Sequence, residues 1–513
     1  MPSLTKRNNR LLAEKELVDL ITLHKRKQVD VLGYNPDSDT LLERFYQMLS
    51  NREVNSDEEA AAKLLGSKST DNDYLKLKSN LKRRLTNTLF FIDLKTAEFN
   101  DAHRANQNVW KYLSSMHICR SQGARNAAID VALKGIKPAI KYEMSLAVIE
   151  FARLFIEYSS VYTGNKAELD KYIEIAKKYQ EIFIAEMTAS NLSAKLIQPY
   201  VNKREFKKET NQLAKEYLKI VEPLAIKYVS HKVQGPYYQI LIYEKYSQSD
   251  FVGLKKVTEE AIRTFENKNF EMKQTIGAFS IVLISANTIL GDYEAAEAAA
   301  EKSLAAIPKG TPVWFNANRL YTIALLNASR YTEAYKLYRK CVAHKKFENL
   351  GDSMKELWWV MEGYFYLLMQ AGEIAIEELE KRPENFRIST FLNRFALFSK
   401  DKRGMNICVQ IIHILFHLFN KEYDLYEDKL STLIKYKKRH LSNQEDGYRT
   451  TCFIECLQII EREEFKKERA IAKTNDLRSL MSEVPQMLLD QPEEIEVLTY
   501  EKLWRIAELA MSY

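Results

Sequence analysis

Two pairs of side chains have the spacing of metal ligands. His413 and His417 stand four residues apart, and Cys452 and Cys456 repeat that spacing further along the chain. Residues four apart share one face of a helix, so each pair could offer two nitrogen or two sulfur ligands to zinc. The same spacing is typical of any buried helix face, the histidines are surrounded by Ile, Leu and Phe, and no HExxH glutamate accompanies them. Both readings stay open, but no metal and no cofactor is predicted.

Local motifs for covalent and phosphate chemistry are absent. The sequence has no G-x-S-x-G, no G-x-x-x-x-G-K-[ST] and no G-x-G-x-x-G after a strand. Paired acids such as Glu58 with Glu59 and Glu493 with Glu494 are typical of helices that face water. A catalytic triad can still be assembled from distant residues. The sequence therefore predicts a protein that is not an enzyme.

A basic cluster lies on one amphipathic stretch near the N-terminus. Thr70 to Asp73 resembles a capping box that opens a helix, and leucines then recur every four residues from Leu77 to Leu89. The candidate phosphate-contacting residues are Lys78, Lys82, Arg83 and Arg84. The net charge of +7 comes from 76 basic and 69 acidic residues that are mixed along the chain, so the surplus is small. We interpret this stretch as a docking helix, with nucleic-acid binding as the alternative.

Composition indicates an all-α protein. The 513 residues include only 15 Gly and 11 Pro, too few for a turn-dense β protein. Five scattered cysteines favour free thiols in a reducing compartment. The most apolar run, Ile407 to Phe419, is 13 residues long and contains two histidines, whereas a membrane span needs about 20 residues. Together with acidic residues close to the N-terminus, these features predict a cytoplasmic location.

A repeated pattern organises the middle of the chain. Phe251, Tyr293 and Tyr331 each follow a turn and precede a helical segment, at intervals of 42 and 38 residues. Another helical segment precedes each turn, so the repeating unit is a pair of helices. In the central unit, Ala296, Ala300 and Ser303 are small enough for the second helix to lie close to the first. The pattern predicts a solenoid of stacked helix pairs.

The central unit resembles the second half of a tetratricopeptide repeat. The matching positions are Gly291, Asp292, Tyr293, Ala296 and Pro308. The intervals exceed the 34 residues of that family, and no Trp-Leu-Gly stands in the first helix, so another type of helix-pair repeat remains an alternative. The resemblance implies a right-handed α-α superhelix, a helical solenoid with an N-terminal helical domain. The N-terminal block and the C-terminal EEIEVLTYEKLWRIAEL also look like a group of uncharacterised bacterial helical-repeat proteins, which brings no known activity.

Repeat quality predicts four regions. Residues 1–100 form the N-terminal docking domain, with a helix from about Leu11 to Val31, and residues 101–250 hold degenerate repeats. Residues 251–345 hold the best-matching repeats, and residues 346–513 hold further degenerate repeats and a C-terminal cap. No Pro/Gly/Ser-rich linker separates the regions after residue 125 or so.

The resemblance also implies a function, which is a scaffold for protein interaction. In such repeats the first helix of each pair lines a concave groove that binds a peptide or protein. Counting back from Phe251 and Tyr331 places six residues on that face: Gln239, Tyr243, Tyr246, Asn316, Arg319 and Asn327. An Arg beside Asn can hold a carboxylate, so we expect an acidic or C-terminal peptide as partner. An ordinary solvated helix face is the alternative.

Overall fold

The structure, a computed structural model, describes residues 40–92, 101–203, 207–374, 387–396, 403–440, 448–484 and 496–512. Every regular element in these ranges is a helix, which confirms the all-α prediction. The helix predicted at Leu11 to Val31 lies outside the described residues. The chain divides into two compact units, Met1–Phe183 with Asn269–Glu271, and Ile184–Lys268 with Met272–Tyr513.

In the part of the first unit that the structure describes there are six complete α-helices and the start of a seventh. These are α1 Leu41–Ser50, α2 Asp57–Leu65, α3 Asn72–Thr88, α4 Asp101–Ser121, α5 Arg125–Lys141, α6 Ser145–Tyr158 and the long α7 Lys166–Lys203. Thr40 and Glu43 form a capping box at α1. The box predicted at Thr70 is not formed, because α3 begins at Asn72 with Asp71 as its N-cap residue, and the Asp71 carboxylate accepts a hydrogen bond from the Lys68 backbone N–H at 3.0 Å.

The second unit begins within α7 and contains the remaining helices. They are α8 Lys207–Lys227, α9 His231–Ser247, α10 Phe251–Glu266, α11 Lys273–Ile289, α12 Tyr293–Ala306, α13 Pro312–Asn327, α14 Tyr331–Val342, α15 Asp352–Gln370, α16 Ile388–Ala396, α17 Arg403–Phe419, α18 Tyr423–His440, α19 Tyr448–Arg462, α20 Lys467–Ser482 and α21 Tyr500–Ala510. From α8 to α15 each helix packs on the next, and α11 also packs on α13, as expected of stacked helix pairs.

The three helix pairs that the repeat pattern predicts share one turn geometry. The residue two before the second helix has a positive φ in each: Ser249 at 55°, Gly291 at 74° and Ser329 at 59°. The backbone N–H of the following residue bonds a carbonyl five residues back, at Lys245, Asn287 and Leu325 in turn. This left-handed residue closes the first helix and reverses the chain. The predicted repeat register at Phe251, Tyr293 and Tyr331 is therefore confirmed.

Small residues bring α11 and α12 close together. Ala296, Ala300 and Ser303 on α12 are fully buried, and the Ser303 hydroxyl donates a hydrogen bond to the Gly277 carbonyl of α11 at 3.0 Å. A Cβ atom on Gly277 would lie only 3.0 Å from the Cβ of Ala306. The predicted role of these α12 residues in the close approach of the pair is confirmed.

The most apolar run of the sequence forms a core helix. Ile411, Ile412, Ile414 and Leu415 of α17 have no exposed surface. Among the described residues, no helix is both long enough and apolar enough to cross a bilayer.

Candidate functional site

A hollow of about 500 Å³ opens between α9 and α11. Its described lining residues all belong to the first helices of three successive pairs, namely α9, α11 and, with one residue, α13. The lining residues are Gly235, Pro236, Gln239, Ile242, Tyr243, Tyr246, Gln274, Thr275, Ala278, Phe279, Ile281, Val282, Ser285 and Leu320. The face predicted from the repeat register thus contains a concave surface.

Local sequence explains why the hollow is open here. Gly235, Pro236 and Ala278 carry little or no side chain that could fill the space between the two helices. Beneath them the helices touch through aromatic rings, since the centroids of Tyr238 and Phe279 are 6.3 Å apart in an edge-to-face arrangement. The hollow is therefore held open above an aromatic contact that belongs to the core.

The buried part of the lining is mainly apolar, and two exposed residues of the lining carry amide groups. Ile242, Phe279 and Leu320 are buried, whereas Gln239 and Gln274 are exposed. Gln239 is oriented by α7, because the Ser193 hydroxyl donates a hydrogen bond to Gln239 Oε1 at 2.9 Å. Carboxamide groups offer both a donor and an acceptor. The site can therefore combine apolar contact with neutral hydrogen bonding.

The structure brings three of the six predicted groove residues together. Gln239, Tyr243 and Tyr246 line the hollow, on one side of it. Tyr243 is half-buried and Tyr246 is buried. These two rings place aromatic surface beside the exposed Gln239 carboxamide.

The predicted groove residues on α13 require a correction, first at Arg319. This residue does not face an open groove, because its side chain is only 3% exposed. Its Nε and Nη2 donate hydrogen bonds to Asn316 Oδ1 at 3.2 and 2.8 Å, one helical turn away on α13. Asn316 and Arg319 therefore bind each other, and neither lines the hollow. Arg319 is not an exposed clamp for the expected carboxylate.

Asn327 is also misplaced by the prediction, and the reason is the C-terminal segment. Asn327 is 2% exposed, and its Nδ2 donates to the Val497 carbonyl at 3.2 Å. Its Oδ1 accepts the Thr499 backbone N–H at 3.3 Å. The chain's own segment at residues 496–499 covers this end of α13. Repeat register alone gave no sign of it, because the two partners are 170 residues apart in sequence.

Sequence reasoning missed the α11 side of the hollow. In the shared turn register, Ile281 and Ser285 of α11 occupy the positions of Gln239 and Tyr243 of α9. Both line the hollow. The signal that predicts them is their distance from Tyr293, which equals the distance of Gln239 and Tyr243 from Phe251.

Part of the basic cluster on α3 forms contacts within the fold. Lys78 Nζ lies 3.0 Å from Asp57 Oδ1, which also accepts a hydrogen bond from the Tyr74 hydroxyl at 2.6 Å. Asp57 and Lys78 are 6% and 14% exposed, so this pair joins α2 to α3. Of the other candidates, Lys82 and Arg83 are exposed and Arg84 is half-buried. A phosphate could therefore reach only part of the predicted cluster.

The histidine and cysteine pairs occupy the core. The rings of His413 and His417 are 4.6 Å apart, and His417 Nδ1 lies 2.6 Å from Glu422 Oε2. Burial raises the pKa of Cys456 to about 12 and raises that of Cys452. Zinc binds thiolates, which such burial disfavours. In the described ranges, no group of three or more His, Cys, Asp or Glu side chains is arranged to hold a metal ion.

The fold and the hollow together define a class of protein. It is an all-α protein whose second unit stacks helix pairs and presents a concave, neutral surface on the first helices. No protein family, no curated protein and no solved structure matches the chain.

Proposed function

We propose that this protein is a non-enzymatic interaction scaffold whose hollow between α9 and α11 binds a segment of a protein partner. The carrying observation is that every described residue of the lining belongs to the first helix of one of three consecutive pairs. Stacked helix pairs create extended concave surfaces of this kind, and peptides bind such surfaces through apolar anchors. Tyr243 and Tyr246 supply the aromatic contact area that dominates many binding sites.

A crosslinking experiment tests this function. A benzophenone amino acid is placed at position 243, in the hollow, and separately at position 217 on α8. Tyr217 is the matched control, because both tyrosines are half-buried and pack on the same cluster of α7, α8 and α9, but Tyr217 does not line the hollow. We expect irradiation of cells that produce the protein to yield a specific crosslinked partner from position 243 and none from position 217.

A second variant separates binding from folding. Tyr243→Ala combined with Gln239→Ala should abolish recovery of that partner, while Tyr217→Ala leaves it unchanged. Both variants should keep the helical circular-dichroism signal. Full recovery of the partner by the double variant would show that the hollow is not the binding site.

A further inference from the structure

The described residues that line the hollow carry no formal charge. None of them is Asp, Glu, Lys, Arg or His, and their polar groups are carboxamides and hydroxyls from Gln, Ser, Thr and Tyr. A charged ligand group placed here would lose hydration without gaining an ionic partner from the lining. The electrostatics of the hollow therefore favour an uncharged occupant.

The two sides of the hollow each contribute one exposed carboxamide. Gln239 belongs to α9 and Gln274 to α11. A glutamine side chain has the same donor and acceptor groups as a peptide unit. The two residues can therefore hydrogen-bond the main chain of a bound segment, whatever its sequence.

The same molecule already uses such a contact. Asn327 on α13 pairs its carboxamide with the main chain of the C-terminal segment, through the Val497 carbonyl and the Thr499 N–H. The segment's apolar side chains Val497 and Leu498 are 1% and 0% exposed. An amide of a first helix thus hydrogen-bonds the main chain of a non-helical segment while apolar side chains of that segment are buried.

We propose that the hollow between α9 and α11 binds an uncharged peptide segment in the same manner. A large apolar side chain of the segment contacts Ile242, Phe279 and Val282, and its main chain is hydrogen-bonded by Gln239 and Gln274. This inference rests on the proposed function and names the chemistry of the partner. It replaces the acidic or C-terminal peptide expected from the sequence, because Arg319 is buried outside the hollow.

Selection from a library of random linear peptides tests the inference on the purified full-length chain. Ala278→Trp is the blocking variant, because Ala278 is exposed in the hollow and a larger ring there occupies the space without entering the core. We expect peptides that bind the natural sequence at least about tenfold more tightly than the blocked variant. They should carry a large apolar residue, lack net charge, and bind with little dependence on salt.

Two charge variants of one exposed lining residue give the sharpest readout. Gln239→Glu and Gln239→Lys place opposite charges beside the hollow. Both variants should lower the binding affinity for the selected peptides by similar factors. If Gln239→Lys strengthens binding while Gln239→Glu weakens it, the occupant is acidic and the inference is overturned, although the hollow remains a binding site. If no selected peptide distinguishes Ala278→Trp from the natural sequence, and position 243 yields no crosslink, the proposed function fails as well.

Discussion

At the scale of single residues, burial decides what a side chain can do. His413 is half-buried on α17, and burial, followed by the neighbouring His417, lowers the pKa of His413 to about 4 from an ordinary 6.5. The other charged groups that act on it are Lys429, Asp428 and Glu422. His413 is therefore a neutral core side chain at neutral pH, where the spacing alone also allowed a metal ligand.

This lowered pKa makes a pH-dependent contribution to stability. Between pH 6.5 and about 4 the unfolded chain binds a proton at His413 that the folded chain does not bind, so stability falls as pH falls through this window. We expect His413→Gln to reduce the acid-induced loss of folding stability by about 1–2 kcal/mol, after allowance for the partial exposure of the His413 side chain. Thermal midpoints near neutral pH and near pH 4 measure the effect. If the thermal midpoints of the two proteins fall equally between neutral pH and about pH 4, protonation of His413 does not destabilise the folded chain.

At the scale of helices, close approach between partners limits side-chain size. Ala296 is fully buried where α12 packs on α11, so Ala296→Leu should destabilise the protein by about 1–3 kcal/mol through overpacking. Ala298→Leu is the control, because Ala298 is exposed on the same helix. Thermal unfolding should show a lowered midpoint for the first variant alone. An unchanged midpoint for Ala296→Leu would mean that the helix pair can separate without cost.

Local sequence carried most of the information about these helices. Turn residues, small residues and aromatic positions at Phe251, Tyr293 and Tyr331 predicted the pairs and their register, because each signal acts within one or two helical turns. Gln239 and Tyr243, which the same register assigns to groove-facing positions, line the hollow. The register does not predict the hollow itself. The hollow depends on the space between two helices that Gly235, Pro236 and Ala278, with little or no side chain, leave empty.

At the scale of the second unit, contacts between distant parts of the sequence decide which surfaces stay open. The segment at residues 496–499 covers Asn327, and α21 packs on α17, α19 and α20. No local pattern in the sequence predicts this return, and the predicted boundaries at 100, 250 and 345 followed repeat quality alone. The observed division into units falls inside α7, at Phe183. The sequence does not predict this boundary, because an unbroken helix contains no turn or linker that would mark it.

A buried ion pair anchors the returning segment. Arg449 of α19 donates hydrogen bonds to both carboxylate oxygens of Glu496, at 3.0 and 2.7 Å, and its Nη2 lies 2.8 Å from Glu501 Oε2. The Arg449 and Glu496 side chains are 8% and 5% exposed. Glu496 also accepts the Tyr500 backbone N–H at 2.7 Å, which fixes the start of α21.

Removing the arginine should therefore loosen the C-terminal segment as a whole. Arg449→Ala leaves the Glu496 carboxylate buried without its main partner, and loss of one member of a buried pair costs about 3–5 kcal/mol. Arg505→Ala is the matched control, because Arg505 pairs with Glu373 at 3.0 Å but is 71% exposed, and such surface pairs contribute about 0–1 kcal/mol. Of these two variants, only Arg449→Ala should lower the thermal midpoint and increase protease cleavage near residue 497. Adding Glu496→Gln to Arg449→Ala should recover part of the lost stability, because the buried carboxylate charge is then removed. Equal effects of Arg449→Ala and Arg505→Ala would show that the buried pair does not hold the segment, and that apolar contacts of Val497 and Leu498 suffice to close this end of α13.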